Sequence, residues 1–537
     1  MIALFDACAM LGGSSDGEAS DIARPHQLLA EYDYFGVGAG LVHHAQALGD
    51  CPDRWNRALL DEIAEHPTLV PQWVVLPHGD GRMPPAEELV AEMLARGVRA
   101  ARICPRTHGF PLGDDAVGPL LRALQEHAIP LFADEDELSI GTAAELCARY
   151  PELTLILCGV PWGCERDLLP ALERCPNLRV ETHALYAHRA FERIAAQFGA
   201  HRLLFGTGLP GWEAGAAVMM PRYERLSDAD RAAVASGNLL ELLHAVPAKG
   251  GAPIPQPTPC GPREDDDAIV ACLRAGEPLH EEFVFDVHNH IGHDGAMGTS
   301  EWCLPHTDAD SLVATMDRLG INGSLVSSWA GLMTGDPAAN DIVLRAVAKH
   351  PGRLLGYGCV NPRYPEVMQR DVRRLFRSGA MSGYKPYAPR HAVPILDARH
   401  RPILEWCDRR GLPVLCHGWL GGPQYVTPDD LDRLAPMYPN AKFVSTHVGG
   451  SWEFAEALMP VIRRHPNVFA DPAYPITPRG IIEFIVREAG ADRVLFGSDA
   501  LLIDPASQIG WIGWARVPIQ DKRKVLGLNL ARLLRIS

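Results

Sequence analysis

The chain has 537 residues, too many for one ordinary hydrophobic core, and its 47% hydrophobic and 22% charged residues match a soluble globular protein. A formal net charge of −16 argues against nucleic acid or an anionic membrane as the main partner and leaves a small-molecule substrate. The opening MIALFDACAMLGG has no basic n-region, no run of about 18 apolar residues follows, and the thirteen cysteines include no Cys-x-x-Cys pair, so the expected setting is the reducing cytoplasm.

In chain order, Phe5-Asp6 opens a first apolar run, followed by GVGAGLVHH from Gly36 and further runs after His66-Pro67 and Tyr150-Pro151. CPNLRVETH from Cys175, HRLLFGTG from His201 and SGNLLELL from Ser236 close this half. Residues 245–267, AVPAKGGAPIPQPTPCGPREDDD, are rich in Pro and Gly and end in acids, which predicts an extended, poorly packed linker centred on 247–265.

The same punctuation then returns: Phe285-Asp286, GINGSLVSS from Gly320, His350-Pro351, Tyr438-Pro439, HPNVFADPA from His465, DRVLFGSD from Asp492 and LGLNLARLL from Leu526. Spacings agree as well. Arg102 to Asp134 is 134 − 102 = 32 and Lys385 to His417 is 417 − 385 = 32, while Gly208 to Asn238 and Asp499 to Asn529 are both 30. An internal repeat on this scale predicts a duplication, with halves 1–246 and 266–537.

In the second half, strands are predicted near 283–288, 322–327, 354–360, 381–386, 412–417, 441–447, 467–471 and 493–498. Helical periodicity lies between them, as in Asp308 to Leu319 and Glu366 to Phe376. Eight strands alternating with helices predict a (β/α)8 (TIM-type) barrel, so the chain is expected to be α/β with two such barrels in tandem. A doubly wound sheet would more usually carry a Gly-rich phosphate loop after its first strand, and none is present there.

Chemistry-bearing residues sit at five strand ends of this half. His288-Asn289-His290 ends the first strand, and residues two apart point the same way, so both imidazoles can face the barrel axis. Lys385, His417, His447 and Asp499 each stand where an apolar run gives way to Gly, Pro or a polar loop, the catalytic edge of such a barrel. Arg390 and His391 are candidates to hold a substrate carboxylate, with a solvated loop as the favoured reading. Trp302, Trp329, Trp419 and Trp452 are candidates for pocket walls, and His350, His400 and His465 read as surface positions.

Together FDVHNHIG, GYKPYAP, PVLCHGW, VSTHVGG, LFGSD and the helix of Asn529 resemble the amidohydrolase superfamily, in its amidohydrolase-related branch. That branch includes aminocarboxymuconate-semialdehyde decarboxylase, resorcylate-type decarboxylases and several lactone and amide hydrolases. The resemblance implies that His288, His290 and Asp499 bind the metal, with His417 a further ligand or near-ligand. Zn²⁺ is the expected ion, one or two per chain, with Mn²⁺ or Fe²⁺ as alternatives. It further implies that His447 polarises a carbonyl or shuttles a proton and that Asp499 takes the proton from a metal-activated water. Lys385 ligates only if carboxylated, as in binuclear members; the alternative is a structural or substrate-facing lysine. The reaction expected first is hydrolysis of a C–N or C–O bond in a small carbonyl compound. Non-oxidative decarboxylation, or hydration, of an unsaturated or aromatic acid is the second reading, and a non-catalytic binding protein the third.

At the matching positions the first half carries Cys8, Met10, Arg102, Asp134, Gly159 and Gly208, which do not rebuild a hydrolytic zinc site. The expectation is a degenerate copy that serves as a built-in pseudo-subunit, binds its own ligand through Arg102, Arg106 and Asp134, or only stabilises the chain; further homo-oligomerisation is left open.

Overall fold

Every paired strand runs parallel to its neighbour, and the chain returns between strands mostly through helices. The computed structural model describes the whole chain except residues 14–21, 82, 294–297, 305, 337, 378 and 537. It divides into two units, Met1–Pro262 and Arg263–Ser537. Among the described residues no helix is long and apolar enough to cross a membrane.

In the second unit the strands Phe285–Ile291, Gly323–Ser328, Leu354–Gly358, Gly383–Tyr384, Pro413–Cys416, Lys442–Ser445 and Val468–Ala470 lie side by side in sequence order. Covered on both faces, such strands are built from unbroken apolar runs rather than alternating ones. The eighth predicted run, 493–498, is too short in ladder bonds to count as a strand, yet it links the two edges. Leu495 N donates to Ala470 O and Val287 N donates to Phe496 O, each at 2.9 Å. Val287, Leu325, Tyr357, Leu415, Val444, Phe469 and Leu495 meet in one buried core. Helix Ala309–Leu319 starts where the Asp308 side chain accepts from Ser311 N at 2.9 Å and stops at Gly320, whose φ of 81° suits a left-handed cap.

The first unit repeats this plan. Its strands Leu4–Leu11, Val37–His44 and Leu69–Pro71 form one sheet; Trp73–Val74, Ala101–Arg102, Leu131–Asp134, Leu155–Cys158, Leu178–Glu181 and Leu203–Leu204 form another. Gln72 N to Val42 O (2.8 Å) and Trp73 N to Ala100 O (3.1 Å) carry the ladder across the break at Gln72, and Ala7 N to Phe205 O (2.9 Å) joins the last strand to the first.

Buried polar contacts recur at matching positions. Asn238 Nδ2 donates to Ala200 O and Leu203 O, as Asn529 Nδ2 does to Ala491 O and Val494 O. Asn56 pairs with both backbone groups of Val74, and Asn340 pairs likewise with Cys359. Asp6 accepts from Cys8 N and Thr207 N, and Asp286 from His288 N and Ser498 N. Each bond satisfies a backbone group that would otherwise be buried unpaired.

The linker departs from expectation. It has no helix or strand between Ala245 and Ala268, as predicted, but part of it is packed. Lys249 N and Gly250 N donate to Leu94 O, and Ile254 lies on the first unit's core. The glycines explain this. A Cβ on Gly97 would stand 2.4 Å from Gly251 Cα, so the two backbones approach only because neither carries a side chain.

Candidate metal centre

His288 and His290 follow one another on the strand Phe285–Ile291, and Asp499 follows the 494–496 segment, so the ladder that joins these segments brings the three side chains together. His288 Nε2 lies 3.2 Å from His290 Nε2. Asp499 Oδ1 lies 3.1 Å from His290 Nε2 and 3.6 Å from His288 Nε2. All three are buried, and one ligand atom from each falls within 4.8 Å of the others.

Two residues fix how these rings present themselves. Asp471 Oδ2 holds His288 Nδ1 at 2.8 Å, and Ser327 Oγ holds His290 Nδ1 at 2.6 Å. With Nδ1–H donated to a carboxylate, His288 turns the lone pair of Nε2 inward. Among the described residues Asp499 Oδ1 is buried and meets no hydrogen-bond donor of good geometry beyond its approach to His290 Nε2. Two imidazoles with a carboxylate converging at these distances form a donor set suited to zinc or manganese. The residues present therefore fit a divalent metal.

The local electrostatics agree. Burial, with Lys385 and the neighbouring imidazoles adding to it, pushes His288 well below its ordinary value. Burial raises Asp471 well above the usual carboxylate range, and the fields of Asp286 and Asp499 raise it further. Burial pushes Asp286 up to about 7. Lys385 Nζ stands 3.4 Å from His288 Nε2, and burial lowers its ammonium to about 8 against the opposing pull of Asp499 and Asp471.

His447 lies beside the triad, its ring centroid 5.2 Å from that of His288, with Nδ1 anchored 3.0 Å from Ala473 O. Its Nε2 meets His417 Nδ1 at 3.1 Å. His417 is thus one ring further out and stands outside the group of mutually close ligand atoms. Both His447 (φ 67°) and Asp499 (φ 54°) hold left-handed backbone conformations that non-glycine residues rarely adopt.

Aromatic rings stand around this centre. Trp329 lies 4.5 Å from the His290 ring and 5.6 Å from Trp302; Tyr387 and Tyr425 flank His417 at 5.3 and 5.6 Å. Trp419 stacks on Tyr474 at 5.2 Å, and Tyr474 approaches His447 at 6.1 Å. Trp452 packs on Phe484. Arg390 is half-exposed and paired with Glu301. Two sequence readings are corrected. His391, expected in a solvated loop, is buried with Nε2 on Gly331 O at 3.0 Å. His400, expected at the surface, is buried against the Tyr384 hydroxyl at 2.8 Å because the ring turns inward between its two exposed arginine neighbours. His350 and His465 pair with Asp310 and Asp432. Asp471 and Ser327 were missed by sequence reasoning. Asp471 carries the same signal as the others, a polar residue just past the strand Val468–Ala470, whereas Ser327 has none.

In the first unit Arg102 donates to Asp134 at 2.5 Å and to Gln72 at 3.0 Å, while Arg106 pairs with Asp136 at the surface. Gly159 (φ 66°) and Gly208 (φ 68°) keep the backbone shape of His447 and Asp499 without their side chains.

Comparison with known proteins is consistent with this geometry. A gamma-resorcylate decarboxylase of Polaromonas sp. (strain JS666 / ATCC BAA-500) is 21% identical over 249 residues, covering 37% of this chain and 76% of that protein. Similar solved structures include a 5-carboxyvanillate decarboxylase from Sphingomonas paucimobilis, at 18% identity and a TM-score of 0.37 over 48% of this chain and 99% of that one. Another is a dihydroxybenzoic acid decarboxylase from Polaromonas sp. JS666 with bound manganese and 2-nitroresorcinol, at 19% identity and a TM-score of 0.38 over 47% of this chain and 97% of that one. The amidohydrolase family model matches residues 19–244 and 286–536, both sides of the linker, and with His288, His290 and Asp499 converging as they do, the chain belongs to the amidohydrolase family.

Proposed function

We propose that the second unit is a divalent-metal-dependent, non-oxidative decarboxylase of a small hydroxylated aromatic acid. The observation that carries this reading is the convergence of His288, His290 and Asp499 beneath a surround of aromatic rings that suits a flat substrate. The similarity to a gamma-resorcylate decarboxylase over three-quarters of that protein supports decarboxylation rather than the hydrolysis that the sequence alone favoured.

His288, His290 and Asp499 would hold the ion, which when bound supplies Lewis acidity toward the oxygens of the substrate. The proton is the chain's own task. Asp286 and Asp471 are buried with their oxygens engaged by backbone and side-chain donors, which leaves Asp499 as the carboxyl free to exchange a proton with substrate. Asp499 gives a proton to the ring carbon that bears the carboxylate. The carbon–carbon bond then breaks, its electron pair restores the ring, and carbon dioxide leaves. The reaction consumes one proton overall, which comes from solvent and would be relayed toward Asp499 by the linked His417 and His447. Trp329, Tyr387 and Trp419 hold the ring and exclude water; Arg390, engaged with Glu301, takes a carboxylate only by exchanging partners.

The test is to incubate the metal-loaded full chain with 2,6-dihydroxybenzoate and other 2-hydroxybenzoates in deuterium oxide. Carbon dioxide release with one deuterium at the vacated ring carbon, lost in Asp499→Asn, is the expected result. Hydrolysis of lactones or amides with no carbon dioxide from any carboxylated aromatic would replace this reading with the hydrolytic one.

We also infer that each unit is a (β/α)8 barrel and that the two descend from one duplicated ancestor. The ladders that return to the first strand through Phe205 and Phe496 support this, as do the matching contacts of Asn238 with Asn529 and Asp6 with Asp286.

A further inference from the structure

On the strands of the first unit, Cys8 Sγ, Cys158 Sγ and a carboxylate oxygen of Glu181 lie within 4.8 Å of one another, and all three residues are buried. None of them repeats the second unit's donor set. Cys8 stands where that unit has His288, but Cys158 precedes the glycine that matches His447, and Glu181 matches Asp471, which there only orients an imidazole. His183 stands beside this group: its Nδ1 is 2.5 Å from Glu181 Oε2, its backbone N donates to Glu181 Oε1 at 2.7 Å, and it lies within hydrogen-bonding reach of Cys8.

Two further features bear on what this cluster accepts. Arg102 Nη2 stands 3.6 Å from each sulfur, and its charge is already matched by Asp134. His183 also fills the room that a second-unit-type aspartate would need, since a Cβ on Gly208 would lie 2.7 Å from His183 Cδ2 and 2.8 Å from Trp212 Cδ1. The aspartate ligand of the second unit therefore has no room for a counterpart here.

We propose that the first unit holds a zinc ion between Cys8, Cys158 and Glu181, with His183 hydrogen-bonded to the Glu181 carboxylate from outside the ligand group. Two sulfurs and one carboxylate form a softer donor set than that of the second unit and suit a thiophilic d¹⁰ cation. Binding expels the two thiol protons, so it is pH-dependent and ties metal retention to folding of this unit. The copy that lost the catalytic ligands has thus exchanged them for a stabilising site rather than for none.

The experiment uses the full chain carrying His288→Ala, which removes the other centre, stripped with chelator and titrated with Co²⁺. The expected result is one equivalent bound, with a thiolate-to-cobalt charge-transfer band in the near ultraviolet that zinc abolishes and that Cys8→Ser/Cys158→Ser in the same background lacks. Absence of the band, or its survival in the double serine variant, overturns the proposal. Should the serine variant not fold, alkylation with iodoacetamide and peptide mapping decides. Bound zinc must slow modification of Cys8 and Cys158 at least tenfold, and equal rates with and without zinc overturn the proposal.

Discussion

Replacing Asp471 by Asn tests whether the histidine pair is held ready for a metal. Asp471 is fully buried and touches no solvent; its Oδ2 is 2.8 Å from His288 Nδ1, and its Oδ1 is 2.9 Å from Ala473 N. The substitution keeps the shape, but the single amide oxygen can accept from Ala473 N or from His288 Nδ1 and not from both; facing Ala473 it leaves His288 with no acceptor, and facing His288 it turns a charge-assisted hydrogen bond into a neutral one. Bonds to charged groups contribute about 1.5–3 kcal/mol against about 0.5–1.5 for neutral ones, so the lost stabilisation of the ligating tautomer is about 1–1.5 kcal/mol, close to a factor of ten. Removing a negative charge beside the cation adds to this, and loss of such an orienting partner typically lowers metal affinity about 10–100-fold. Affinity is read by competition with a chromophoric chelator in the Cys8→Ser/Cys158→Ser background, where the first unit's site is disabled. A loss within that range is expected, with catalysis restored at excess metal. Unchanged affinity would refute the argument that Asp471 sets the tautomer of His288.

Three further outcomes follow from buried contacts away from the centre. Asn529→Ala strips two carbonyls of their donors at 2.7 and 2.9 Å, and Asn238→Ala strips two at 2.8 and 2.7 Å. Each should cost about 2–4 kcal/mol, read as a shift in denaturant midpoint; a loss in one but not the other would weaken the case for duplicated halves. Burial pushes His400 down to about 4 from 6.5. Because its folded value lies below its unfolded one, the unfolded chain binds more protons between those values, so the stabilisation is full above about 6.5 and is lost as pH falls through about 4. That amounts to about 3 kcal/mol, and His400→Gln should flatten this part of the stability–pH curve; an unchanged curve would contradict it.

Much of the centre was legible because strand chemistry is regular. Two residues apart on one strand, His288 and His290 had to share a face, and Asp499 had to follow the last apolar run. The order of the ligands in space was not legible. His417 and His447 look alike in sequence, but only the contact between their rings sets His447 beside His288 and His417 beyond it. His400 was misread because neighbours in sequence predicted exposure, while the tertiary partner, Tyr384, decides it. The cluster of Cys8, Cys158, Glu181 and His183 was hidden for a related reason. Comparing the halves position by position finds the ligands that the first half lacks, whereas the residues that gather there come from other strands and other positions. The paired left-handed positions, His447 with Gly159 and Asp499 with Gly208, link the two halves through backbone shape where side chains no longer do.

The central claim is that His288, His290 and Asp499 hold a metal on which the activity depends. Elemental analysis of the purified full chain beside its His288→Ala variant tests it most directly. The account predicts that the variant loses one equivalent of zinc or manganese per chain, retains its fold by circular dichroism, and loses all carbon dioxide release. Equal metal content in the two proteins, with metal supplied throughout, would contradict it.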